Sequence, residues 1–466
     1  MRSHLPSVGL CASLVALAFA PIPGAAETGW KAGFAASKIT PAEPMMLAGY
    51  SGRSEPFTEV HDDLYLKCLA LEDGQGGRAL WITADLIGFR AEFSEPLLER
   101  ITARTSIPRA NILLNASHTH TGPALALVPR DDDALPDEQK ARIVDYTRDL
   151  MDRGEALAVE AISKLRPARL SRGAGVVPFP MNRREFTDKG VILGVNPRHL
   201  ADRTVPVLRI ESPEGILMGV VFGAACHNTT FGARDNVVSG DYAGLAQTFL
   251  EREFPGTQAM FNQGFGGDAN PYPNSLNDLA KRPAAEIADA HGEALGREVA
   301  RLLRTTLREV SGPLRTATGL AELPLKKAPP RDELEKMAAV GKGPHAWAAR
   351  QMLAKLEEGE TLPSHYAATV TVWQFGKDLT LVALSGEVVS DYARLIEDAL
   401  GPLGLWLGAY TNDVFGYVPS AQVLRAGGYE TRGMIYGGPG FFAPEVEGVL
   451  VHTVCRLADQ AGRPMP

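Results

Sequence analysis

The feature that most constrains this chain is a short apolar run that stops on two histidines. Asn111-Ile-Leu-Leu-Asn115 reads as a buried strand, and Ala-Ser-His-Thr-His-Thr-Gly-Pro123 follows it directly. Residues two apart on an extended chain point the same way, so His118 and His120 can face one cleft at a strand end before the Thr-Gly-Pro turn breaks the chain. Two loop histidines could equally be solvated, or one could be a satisfied core residue, and the rest of the chain has to decide.

With 466 residues, 45% of them apolar and 22% charged, the chain has the material for one large core or two ordinary ones. Arg2 and His4, the apolar run Leu10-Cys-Ala-Ser-Leu-Val-Ala-Leu-Ala-Phe-Ala20 and the small residues up to Ala26 have the three-part form of a secretory leader. The expectation is a signal peptide at 1–26, cut after about Ala26, and a secreted or periplasmic mature chain at 27–466; the run is short for a bilayer span. Cys68, Cys226 and Cys455 then remain, an odd set without paired spacing, so no disulfide framework is expected. A net charge of −8 and no Lys/Arg-rich cluster argue against nucleic acid as a partner. Nothing in the sequence indicates an oligomeric state.

Strand-like runs at 64–71, 79–85 and 111–115 alternate with helical patterns near 94–104 and 137–165, which predicts an α/β architecture. Val205–Ile210 and Leu217–Ala225, joined by Ser212-Pro-Glu-Gly215, predict a hairpin, as do Thr369–Phe375 and Leu379–Leu384. Apolar residues at helical spacing through 283–310 predict an amphipathic helix against a sheet. Pro329-Pro330 opens a polar insertion, 320–366, with helices expected at 332–340 and 346–356; it could be a lid or a surface excursion.

Four further places set polar residues just beyond an apolar run, which suggests one site assembled from several strand ends. His227 follows Val220–Cys226, where a metal ligand and a structural histidine are both natural. Glu387 follows Leu381–Leu384 and Ser385-Gly386, and a hard oxygen beside imidazole nitrogens suits zinc. Asn262–Pro271 holds three glycines with Asp268 and Asn270; it reads either as a loop that approaches a ligand or as a plain turn-rich connection. Leu405–Tyr417 ends on amide and aromatic side chains, with Gly416 before Tyr417.

Taken in order along the chain, these segments resemble the neutral ceramidases, secreted zinc amidohydrolases that cleave the N-acyl bond of ceramide. Ser-His-Thr-His-Thr-Gly-Pro123 is similar to that family's Thr-His-Thr-His-Ser-Gly-Pro, and His227 with Ser239-Gly-Asp241, Gly386-Glu387, Gly416-Tyr417-Val418, Tyr429-Glu430 and Asn182-Arg183 follow in register. The resemblance implies a mixed-sheet catalytic domain with flanking helices and the site at strand ends. It implies a zinc site of His118, His227, Glu387 and Tyr417, with His120, Arg183 and Tyr429 on the substrate side. The family's motif serine is replaced here, since Gly267-Asp-Ala-Asn-Pro-Tyr272 puts Asn270 in its place, and an amide is no nucleophile. No C-terminal β-sandwich module of the kind family members often carry is expected.

The expected chemistry is therefore hydrolysis of ceramide or a related lipid amide by a zinc-bound water. His120 is expected to move the proton, Arg183, Tyr429 and Asn270 to hold the developing oxyanion, and Asp268 stands as another candidate base. The implied partner is a lipid amide, with peripheral contact to a membrane surface. Two alternatives are a zinc hydrolase for an unrelated ester or amide and a non-catalytic exported zinc protein. A serine hydrolase built on Ser117 or Ser239 would lack the Gly-x-Ser-x-Gly elbow.

Overall fold

The computed structural model describes Met1 and residues 29–129, 135–340, 344–431 and 440–464. The expected leader lies outside the described residues apart from Met1.

Alternation along the strands builds the fold. In Arg78–Ala84, Leu80 and Ile82 face one way and Trp81 the other. The first pair packs under the helices Ala91–Thr105 and Asp137–Ser163, and Trp81 packs against Trp373 and Trp406 of a second sheet, with ring centroids 6.0 and 5.4 Å apart. The same division recurs in Leu217–Ala224, where Val220 and Phe222 meet the helices Asp241–Glu253 and Ala284–Leu303 while Val221 turns inward. Two sheets thus lie back to back with helices on their outer faces, which is the α/β arrangement the sequence predicts. Each buried ring between them removes roughly 150–250 Å² from water.

The first sheet runs, neighbour by neighbour, Gln258–Gln263, Leu217–Ala224, Thr204–Glu211, Arg166–Val176, Trp30–Lys38, Tyr65–Glu72, Arg78–Ala84, Ile112–Ala116. Its two end pairs are parallel and its middle is antiparallel. The sheet curls until its ends touch: the Gln263 backbone N–H donates to Asn115 Oδ1 at 2.9 Å, and Trp81 Nε1 donates to Asn262 Oδ1 at 3.0 Å. This closure brings the C-terminal ends of Ile112–Ala116, Leu217–Ala224 and Gln258–Gln263 to one place. The second sheet, Leu314–Pro324, His365–Phe375, Leu379–Leu384 and Leu405–Gly408, sends two more parallel C-terminal ends to the same region.

Both expected hairpins form, as do the long helices, whose bounds are Ala91–Thr105, Asp137–Ser163 and Ala284–Leu303. Within the polar insertion the helices are Arg331–Ala339 and Pro344–Glu357, packed on each other around Leu334, Ala349 and Met352. They are tied down by Lys326 N–H to Phe441 O at 2.6 Å and by the bridge between Leu325 and Phe442.

Candidate active site

His118 does not continue the strand. Its backbone is left-handed, with φ 65°, and its N–H donates to Leu86 O. The sequence reading attributed the convergence of the two histidines to strand alternation; the structure ends the strand at Ala116 and uses this turn instead. The imidazoles then meet edge to face, with Nε2 of His118 and His120 3.1 Å apart. His227 arrives from the end of Leu217–Ala224, and its ring centroid lies 4.6 Å from that of His118.

One ring nitrogen from each of His118, His120 and His227 lies within 4.8 Å of the other two. The tautomers follow from simple bonding. His118 Nδ1 lies 2.6 Å from Ile87 O and His227 Nδ1 2.8 Å from Gly266 O; a carbonyl oxygen only accepts, so both Nδ1 atoms carry the proton. In the neutral rings both Nε2 atoms then present lone pairs. Glu387, fully buried at the end of the second sheet, sets Oε2 3.3 Å from His118 Nε2 and 3.2 Å from His227 Nε2, and this oxygen has no hydrogen-bond donor among the described residues. Tyr417 Oη stands 3.5 Å from His227 Nε2, on a strand paired in parallel with that of Glu387.

Converging buried acceptors without a donor suit a cation. A four-coordinate zinc with bonds of about 2.0–2.1 Å holds its ligand atoms about 3.3–3.4 Å apart, which the separations match. Both anchored Nδ1 atoms are the outer hydrogen bonds that metal-ligating histidines use. Burial, with Arg183 next, lowers His227 to about 4, and burial with His118 and His227 lowers His120 well below the usual value.

That shift carries a sign. Unfolded, His227 titrates near 6.5; folded and metal-free it resists protonation to about 4. Its contribution to stability is complete above pH ~6.5 and is lost as the pH falls toward 4, a loss on the order of 3 kcal/mol. Metal-free wild type is expected to lose denaturant resistance across this window more steeply than metal-free His227→Asn. Equal slopes would refute the assignment.

Arg183 has all three guanidinium nitrogens engaged. Nε donates to Glu430 Oε1 at 2.9 Å, Nη2 to Tyr417 Oη at 3.0 Å and Nη1 to Asn270 Oδ1 at 3.2 Å. Burial opposes its charge, but Tyr417 and Glu430 outweigh that and raise its pKa well above the usual value. Glu430 is itself fully buried and also pairs with Arg184. Tyr429 sets its ring edge to face with Tyr417, centroids 5.5 Å apart, and Arg183 lies 5.6 Å from its centre. Asn270 accepts from Arg183 and, at 3.4 Å, from Thr229 Oγ1 through its oxygen, so its NH₂ is turned the other way as a fixed donor.

The structure thus brings His118, His120, His227, Glu387, Tyr417, Arg183, Tyr429 and Asn270 together. Asp268 serves otherwise: its carboxylate accepts from Ser390 N–H at 2.7 Å and Asn182 Nδ2 at 2.9 Å, so it organises the loop and is not placed as a base. Ser239 likewise spends its hydroxyl on Asp62.

Several residues escaped sequence reasoning. Gly49, with φ 97°, lies so close to His120 that a Cβ there would stand 2.6 Å from its ring. Arg53 Nη1 holds Ala48 O and the His120 carbonyl, Tyr50 packs its ring 4.9 Å from that of His120, and Tyr410 packs 4.5 Å from His118. The one available signal was Gly49-Tyr50 after an apolar stretch, which is too common to single out. Gly49→Ala is expected to displace His120 and lower kcat about 10- to 100-fold with metal content unchanged. Wild-type kcat in this variant would show that the ring position does not matter.

Against known proteins, the model of the neutral/alkaline non-lysosomal ceramidase N-terminal region matches residues 30–271. The chain belongs to this family. Its similarity to the family's neutral ceramidases is distant: 23% identity over 270 residues with that of Drosophila pseudoobscura pseudoobscura, covering 53% of this chain and 36% of the relative. With neutral ceramidase B of Dictyostelium discoideum it is 25% over 245 residues, covering 48% and 33%. These matches span about a third of the relatives' length. The crystal structure of neutral ceramidase from Pseudomonas aeruginosa shares the fold, with a TM-score of 0.67 over 94% of this chain and 75% of that one, at 17% identity. The matched family segment carries His118, His120, Arg183, His227 and Asn270, whereas Glu387, Tyr417 and Tyr429 lie beyond it.

Proposed function

We propose that this protein is a zinc-dependent amidohydrolase that cleaves the N-acyl bond of ceramide or a closely related lipid amide. The observation that supports it most is the buried convergence of His118 Nε2, His227 Nε2 and Glu387 Oε2 beside a charged arginine. Family membership supports the reaction class. We further propose that the chain acts outside the cytoplasm, as its leader-like first residues suggest.

His118, His227, Glu387 and Tyr417 would hold the ion. Zinc in such a site polarises a carbonyl and lowers the pKa of a coordinated water. The protein's own residues do the rest. Arg183, by donating to Tyr417 Oη, leaves that oxygen's remaining lone pair for the cation. His120, kept neutral by burial and its two imidazole neighbours, takes the proton from the attacking water and returns it to the leaving amine. Asn270 directs its fixed NH₂ toward the developing oxyanion, a donor's role that needs no nucleophilic serine.

Metal analysis of purified protein, paired with hydrolysis of a fluorogenic N-acylsphingosine, tests this. Stoichiometric zinc and turnover abolished by a chelator are expected. Asn270→Asp, which keeps the acceptor and removes the donor, should lose about 10²-fold or more in kcat with zinc retained. Turnover appearing only in Asn270→Ser would move the substrate away from ceramide, and protein without stoichiometric metal would sink the site.

A further inference from the structure

His120 is held differently from the two histidines beside it. His118 and His227 each fix the plane of the imidazole by a bond from Nδ1 to a main-chain carbonyl, that of Ile87 and that of Gly266. His120 Nδ1 is buried and has no hydrogen-bond partner among the described residues. It lies toward Gly49, where a Cβ would stand 2.6 Å from it. A histidine that moves protons is ordinarily oriented through its second nitrogen by a carboxylate or a carbonyl. His120 has to be held by other means.

The nearest such means is Arg53, a buried side chain whose four hydrogen bonds all go to main-chain carbonyls. Nη1 donates to Ala48 O at 2.7 Å and to His120 O at 2.5 Å. Nη2 donates to Asp235 O at 3.1 Å and to Gly232 O at 3.4 Å. One nitrogen thus ties the His120 backbone to the residue before Gly49, so the imidazole and the glycine it lies against move together. The guanidinium also lies 4.9 Å from the centre of the Tyr50 ring, which packs on His120 and donates from Oη to Phe231 O at 2.7 Å. Three segments are joined in this way: 48–53, the turn that carries His120, and 231–235 beyond His227. A planar guanidinium suits the task because its donors keep a fixed spread, whereas an ammonium is a single point. Neither Ile87 nor Gly266, which anchor the rings of His118 and His227, belongs to these segments.

We propose that Arg53 is the positioning residue for His120, acting through the main chain where a carboxylate would ordinarily act through the ring. The inference rests on the reading of His120 as the group that moves the proton. Arg53→Lys and Arg53→Gln are made in the full-length metal-loaded protein, each also in a His120→Ala background, and assayed on the N-acyl lipid that wild type hydrolyses. Arg53→Lys keeps a cation that can still donate to the carbonyls, and so guards against a loss of fold. It should lower kcat about 10-fold, and Arg53→Gln about 100-fold, with KM and zinc content within about twofold of wild type. In the slow His120→Ala background neither should lower kcat by more than about twofold further, since the group they position is gone. Losses of equal size in both backgrounds would overturn the inference, because Arg53 would then act on the fold at large. So would zinc lost from both variants, or wild-type kcat in both. A readout independent of turnover is the crystal structure of metal-loaded Arg53→Lys. Its His120 ring is expected about 1 Å or more from the wild-type position, with His118 and His227 in place; a ring left where it is would overturn the inference. Wild-type kcat in His120→Ala, with the ring displaced in Arg53→Lys, would uphold the placement and remove the proton-transfer reading alone.

Discussion

Glu387→Gln is expected to fold, to purify without metal and to lose at least about 10³-fold in activity. The substitution keeps the shape of a side chain that is fully buried and replaces one of the converging acceptors by an amide. An ion that supplies several kcal/mol of transition-state stabilisation is worth on the order of 10³–10⁴ in rate, so its loss sets the scale. Stability should move the other way. In the metal-free wild type, Oε2 faces two lone pairs and finds no donor, whereas a glutamine NH₂ can donate to one of them. Metal-free Glu387→Gln should therefore resist denaturant as well as or better than metal-free wild type at pH 7. A variant that retains stoichiometric zinc would remove Glu387 from the ligand set, and one that unfolds would show that the carboxylate is structural.

Arg183→Met should be costly in both stability and activity. It leaves Glu430, fully buried, with Arg184 as its remaining charged partner, and takes the donor from Tyr417 Oη and from Asn270 Oδ1. Removing one member of a buried ionic network typically costs about 3–5 kcal/mol, and because Glu430 keeps Arg184 the cost is expected at the lower end of that range. Adding Glu430→Gln should restore no activity, since neither Tyr417 nor Asn270 regains its partner, and should lower stability further, since buried Arg184 then loses its carboxylate. Denaturant midpoints and kcat for the two single variants and the double variant separate these effects. Activity that merely tracks the folded fraction across the three variants would mean that Arg183 acts only through folding.

How much was legible in the sequence depended on the range of the signal. Leu379–Leu384 is buried throughout and Leu217–Ala224 at every residue but its first, so their apolar composition alone marked them as strands. Arg166–Val176 and Leu314–Pro324 are longer but half exposed, with arginine, glycine and threonine along their lengths, and composition gave no warning of them. Within the site, the nearness of His118 and His120 was written in their spacing, although the turn at His118 that aims them was not. Tyr417 entered only through resemblance, because a tyrosine after a glycine carries no local mark of a ligand. Glu430, Gly49 and Arg53 act through contacts with residues far away in the chain, and such contacts leave no periodicity to read.

The placement of the candidate ligand atoms bears on how an ion would be acquired. His118 lies on the strap that closes the first sheet, His227 near the opposite end of that sheet, and Glu387 and Tyr417 on the second sheet, so a bound ion would be a crosslink across the whole fold. No half of the chain owns the site. A polypeptide still growing from its amino terminus has no complete set of ligands until residue 417 has been made and both sheets have met. Loading would therefore follow assembly, and with both Nδ1 anchors set by carbonyls of the finished fold, an ion would enter a receptor already shaped, its release coupled to the parting of the two sheets.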